Sequence, residues 1–167
     1  HEGAPPVETL RAQYRLIEWY RQHGQLIQAL TLAREWLVDA VTVRLEQPLD
    51  YRRTPREIME CAVTGLSRVG RPINDEETGE LRESTAFDLN EYGRIIYNHW
   101  PEKYTIGTLS STLSNVRNQL NHAEHQANPS KLETIQKQAE KALASLHDLA
   151  TSWGLTSDAA TGEMESS

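Results

Sequence analysis

The run Arg117-Asn118-Gln119-Leu120-Asn121-His122 sets an always-charged guanidinium and a titratable imidazole within about one and a half helical turns. A planar guanidinium grips a phosphate through paired hydrogen bonds, and an imidazole moves protons near neutral pH. A phosphate clamp beside a proton shuttle is equipment for breaking a phosphodiester, and RNA cleavage is the chemistry this stretch points to. Ordinary solvated helix surface can also carry an Arg-Asn pair and a His, so six residues alone decide little.

These groups must be positioned by a helix. Over 106–127 the apolar residues Leu109, Leu113, Val116, Leu120 and Ala123 recur at alternating steps of four and three, which is an amphipathic stripe. At about 100° per residue, Asn118, Asn121, His122 and His125 fall within an arc of roughly 100° opposite that stripe, with Arg117 on its flank. Asn118 and His122, Arg117 and Asn121, and Asn121 and His125 are each one turn apart and can brace one another, which makes Asn121 and His125 supporting residues. Arg117 and His122 themselves point about 140° apart, too far to hold one small anion from a single straight helix. Either the helix is distorted at this point or a second copy of the chain completes the site.

The spacing of Arg117, Asn118 and His122 resembles the R-x4-H signature of HEPN-domain ribonucleases. A second stretch supports the resemblance: 17–37, from Ile17-Glu18-Trp19-Tyr20 through Gly24-Gln25-Leu26 to Arg34-Glu35-Trp36-Leu37, is similar to the helical hairpin that opens the HEPN domain of CRISPR-associated CARF–HEPN accessory ribonucleases. The resemblance implies an all-α, HEPN-like bundle of about five to six helices. It also implies a homodimer in which two copies of the motif helix line one groove, and metal-independent cleavage of single-stranded RNA with no cofactor. By the same resemblance, the ribose 2′-OH attacks its neighbouring phosphate, His122 serves as general base or acid, Arg117 stabilises charge on the phosphate oxygens, and Asn118 orients either His122 or the phosphate. A CARF sensor domain would precede this one and read a cyclic oligoadenylate. No run of buried Val/Ile-rich strands alternating with helices is present to form it, so the sensor is expected to lie outside this chain.

Residues 1–6 read as a linker or expression remnant, 7–154 as the helical domain and 155–167 as a disordered tail. Val7, Leu10, Tyr14, Ile17 and Tyr20 predict a first helix stopped at Gly24. Leu26, Ala29, Leu30, Ala33, Trp36, Leu37, Ala40 and Val41 predict a longer second helix, antiparallel to the first and ending before Pro48. Thr54-Pro55-Arg56-Glu57 reads as a capping box opening a third helix, with Ile58, Cys61, Ala62, Leu66 and Val69 on its core face and Cys61 therefore a buried thiol. The polar stretch 71–84 reads as a loop that could border the groove, and Leu89, Tyr92, Ile95 and Ile96 predict a helix over 88–99 closed by Pro101. Ser130 with Glu133 reads as a second capping box, opening a last helix that Gly154 stops.

Net charge is −7, which argues against a broad nucleic-acid-binding surface and leaves room only for a local basic groove. Arg52, Arg53 and Arg56 are the densest basic cluster, with Arg68 and Arg71 beyond; solvated helix ends are the stronger reading of these, RNA guidance the weaker. His122 and His125, at i and i+3, could hold a metal with His99 or Glu124, but no convincing set of three or four fixed ligands is present. His23, His99 and His147 read as helix-terminal or surface residues. The single cysteine excludes an internal disulfide, and no signal peptide or membrane-length apolar run occurs, so a cytoplasmic location without membrane contact is expected. A toxin of a toxin–antitoxin pair and a catalytically silent dimerisation module are the alternatives to the CRISPR effector.

Overall fold

The computed structural model describes residues 5–126 and 128–156. The chain forms a bundle of six helices: α1 (Pro6–Gln22), α2 (Leu26–Arg44), α3 (Arg53–Leu66), α4 (Glu91–His99), α5 (Lys103–Gln126) and α6 (Pro129–Ser152). An all-α architecture is thus what the hydrophobic periodicities predict. The expectations for residues 1–4 and 157–167 lie outside the described residues.

α2 organises the bundle. Its Ala29, Leu30, Ala33 and the run from Trp36 to Thr42 are buried, leaving little solvated face, as expected for a helix that neighbours surround. It packs against α1, α5, α6 and α3, while α5 also packs against α3 and α6. Trp36 lies wholly in the core, where its indole N–H donates to the Leu10 carbonyl at 2.9 Å, joining the first two helices. Gly24 ends α1 in the left-handed conformation at φ +71°, with the Gln25 N–H reaching back to the Tyr20 carbonyl. The same closure ends α6 at Gly154, and Leu155 and Thr156 beyond it are buried, so packed chain extends two residues into the stretch expected as tail. α2 ends the same way without a glycine: Glu46 itself adopts φ +57°.

Four local expectations are corrected. The stretch 71–84 is not plain loop but contains a small antiparallel hairpin of β1 (Pro72–Asn74) and β2 (Leu81–Glu83), with Ile73 opposite Arg82. Arg82 ties the hairpin to the next turn through Asp75 at 2.9 Å and Asp88 at 2.5 Å. Thr54 caps nothing, because α3 starts earlier, at Arg53; Pro55 still lies in the first turn, where its missing N–H has no helical acceptor to lose. Ser130 is not the cap of α6 either. Asn128 accepts from the Lys131 N–H, and Pro129, with its pre-set φ, follows at the first helical position. Finally, Cys61 is exposed. α3 buries Met59, Ala62, Val63 and Leu66, a face rotated about one residue from the expected one, so Ile58 and Cys61 turn outward.

Two close approaches seat α5. A Cβ at Gly107 would stand 3.1 Å from the Leu66 carbonyl carbon and 3.2 Å from the Ser67 nitrogen, so the α3 backbone passes directly over this position. At the C-terminal end of α2, the Arg44 guanidinium lies 4.6 Å from the Trp153 ring, whose indole N–H donates to Glu102 at 3.2 Å.

Candidate functional site

α5 is an unbroken α-helix across the motif, from Lys103 to Gln126. Its Leu109, Leu113, Val116, Leu120 and Ala123 are buried against α2, α3 and α6, as the stripe predicts. Asn118, Asn121, His122 and His125 are exposed and Arg117 is half-buried. The five candidate residues therefore share one solvated face. Of the two ways to unite Arg117 and His122, local distortion of the helix is not what this backbone does, and the divergence of about 140° expected for a regular helix stands.

Arg117 donates from Nη2 to the Asn118 side-chain oxygen at 3.3 Å. Among the described residues no carboxylate pairs with Arg117 and no group hydrogen-bonds the His122 ring. A guanidinium free of acids is available to an anion, and the ring nitrogens of His122 are left open to a ligand. Within one chain Asn118 bonds Arg117 and not His122.

The surroundings of the motif matter as much. Along α5, Thr108, Asn115, Asn118 and His122 are exposed in one line, and the Asn115 amide reaches the Ser111 hydroxyl at 3.5 Å. No Asp or Glu occurs over 103–123, although the whole chain carries 24 acids against 17 lysines and arginines. That stretch without acids runs about 30 Å at 1.5 Å per residue and ends at the exposed Glu124. This signal was readable in the sequence, but only exposure turns it into a surface.

The arginine cluster is different. Arg52 is held by Asp50 at 2.5 Å, Arg53 by Glu57 at 2.9 Å, and Arg56 donates to Asp39, to Glu35 at 2.5 Å and to Glu60 at 3.2 Å. Arg52 and Arg53 are exposed, in surface pairs that contribute little to stability, whereas Arg56 is largely buried and committed to the fold. Arg56 instead closes a buried network in which Asp39 also accepts from Tyr51 at 3.2 Å and Gln13 at 3.4 Å. Burial pushes the Asp39 carboxyl above the ordinary aspartate value, and the Arg56 guanidinium pulls it back. The readable sign of this network was an acid in the middle of an apolar helix, Trp36-Leu37-Val38-Asp39-Ala40-Val41, which seldom survives unpaired.

Among the described residues no three His, Cys, Asp or Glu side chains come together as a metal-ligand group, so His122, His125, His99 and Glu124 are not assembled into one. No helix among the described residues is long and apolar enough to cross a membrane. No protein-family model, curated protein or solved structure matches the chain.

Proposed function

We propose that this chain is the endoribonuclease domain of a HEPN-type enzyme, cleaving single-stranded RNA without metal or cofactor at a site shared by two copies of α5. The observation that carries it is a guanidinium and an imidazole, both without carboxylate partners, on a solvated helix surface with no Asp or Glu over 103–123. Their divergence on a straight helix calls for a second copy, whose His122 or Arg117 supplies the missing side of the groove.

In the reaction, one imidazole takes the proton of the ribose 2′-OH as O2′ bonds to phosphorus. The P–O5′ bond breaks, and a protonated imidazole returns a proton to O5′, leaving a 2′,3′-cyclic phosphate and a free 5′-OH. Arg117, steadied by Asn118, neutralises the charge that builds on the non-bridging oxygens. Positioned acid–base catalysis of this kind contributes about 10²–10⁴-fold. The resemblance over 17–37 and 117–122 favours a CRISPR effector controlled by cyclic oligoadenylate through a sensor domain outside this chain, working in the cytoplasm.

The test is cleavage of a single-stranded RNA in excess chelator by the full chain, compared with Arg117→Ala and His122→Ala. Each substitution should lower the rate by at least about 10²-fold while the oligomer persists. Cleavage that survives both substitutions in an intact dimer removes the site, and a dimer without any cleavage leaves the silent docking module in its place.

A further inference from the structure

A cleft of about 530 Å³ opens between α2, α3 and the segment carrying the hairpin. Arg34 and Arg68 line it, together with Cys61, Thr64, Ser84 and Asn90. We propose that this cleft binds a phosphate-bearing ligand between the Arg34 and Arg68 guanidinium groups.

The charge balance inside the cleft supports this. Its two acids are already engaged: Glu60 accepts from Arg56 at 3.2 Å, and Asp88 accepts from Arg82 at 2.5 and 2.9 Å and from the Thr85 N–H at 2.8 Å. Arg56 and Arg82, which hold them, also hold other carboxylates and do not line the cleft. Arg68 pairs with no carboxylate among the described residues, and Arg34 has only a 3.9 Å contact with Glu35, whose other oxygen is held by Arg56 at 2.5 Å. Two guanidinium groups are therefore left without strong partners in one concavity, in a chain whose net charge is −7. Tetrahedral oxyanions match the guanidinium fork, and the Thr64 and Ser84 hydroxyls and the Cys61 thiol add donors along the wall. The volume falls in the range of small-molecule sites, about 300–1,000 Å³, and exceeds what a single phosphate fills. A diphosphate-sized group fits it, carried either by a free oligophosphate or by an RNA backbone. No residue of α5 lines the cleft, so the inference stands apart from the Arg117–His122 face.

Cys61, the one cysteine of the chain, is exposed within this cleft and reports on its occupancy. The experiment measures alkylation of Cys61 in the full chain by neutral iodoacetamide, with and without inorganic pyrophosphate or a uridine octanucleotide. At a concentration about ten times the Kd, a bound ligand slows alkylation about tenfold, following 1 + [L]/Kd. Protection by pyrophosphate assigns a free oligophosphate, and protection by the octanucleotide alone assigns an RNA backbone. Arg34→Gln and Arg68→Gln should each weaken protection, and Arg68→Gln should also lower the rate with anionic iodoacetate relative to iodoacetamide. Protection should persist in His122→Ala, which separates this site from the nuclease reading. Alkylation of the unsubstituted chain that neither probe slows overturns the proposal, as does protection that both glutamine variants retain in full.

Discussion

At the scale of single residues, two arginines illustrate how partner chemistry decides a role. Arg117 and Arg56 are both half-buried on helices, yet one has an amide neighbour and the other three carboxylates. Arg117 can serve an incoming anion; Arg56 is committed to the fold. Removing it strands Asp39, 2% exposed, in the core with only Tyr51 and Gln13 as donors. Arg56→Ala should destabilise the protein by about 3–5 kcal/mol in chemical denaturation, the range for an uncompensated buried charge, and a paired Asp39→Leu/Arg56→Leu change should recover most of that. A loss no greater than a surface substitution would show that Asp39 finds solvent or another partner.

At the scale of elements, α5 is presented by a backbone crossing, and the hairpin is a separate charged unit. Gly107 allows the end of α3 to pass at contact distance, and backbone atoms there have nowhere to yield. Gly107→Ala should therefore lower stability by about 1–3 kcal/mol in thermal or urea unfolding, despite the better helix propensity of alanine; a stabilised variant would refute the close crossing. The hairpin is held by charge. Hydrogen bonds from Arg82 hold the Asp88 carboxyl well below its ordinary value of 3.8, and the Thr78 and Glu77 backbone N–H groups, followed by Arg82, lower that of Asp75. A carboxyl whose folded value is lowered contributes stability above its unfolded value and loses it as pH falls toward the folded one. Amide protection in the hairpin, corrected for intrinsic exchange, should hold at pH 5 and decline below about pH 4, ahead of α2. Hairpin and α2 losing protection together would mean that these ion pairs do not govern the hairpin separately.

For the whole molecule, the question is how an acidic protein meets a polyanion. Acids outnumber lysines and arginines, and under the proposed function the stretch of α5 without Asp or Glu, 103–123, is where the scissile strand approaches. The proposed site is completed only when two such faces meet. Cleavage per chain should therefore fall with dilution in step with the dimer fraction measured by light scattering or sedimentation, because a lone subunit offers its Arg117 and His122 in different directions. Constant activity per chain in a verified monomer would defeat the shared site.

The sequence by itself determined the helices and the wet face of α5, because both follow from periodicity that a helix reads locally: Leu109, Leu113, Val116, Leu120 and Ala123 turn inward, and Asn118 and His122 must then turn outward. Gly24 and Gly154 were legible for the same reason, as left-handed stops that need only their own neighbours. Only tertiary structure could decide which of two apolar stripes α3 buries, and so that Cys61 is exposed. It alone could show that Arg56 answers Asp39, seventeen positions away, that the polar stretch after α3 folds into a hairpin, and that Arg34 and Arg68 share a cleft. Those outcomes depend on partners brought together from distant positions, and a repeating pattern along one element carries no information about what will face it.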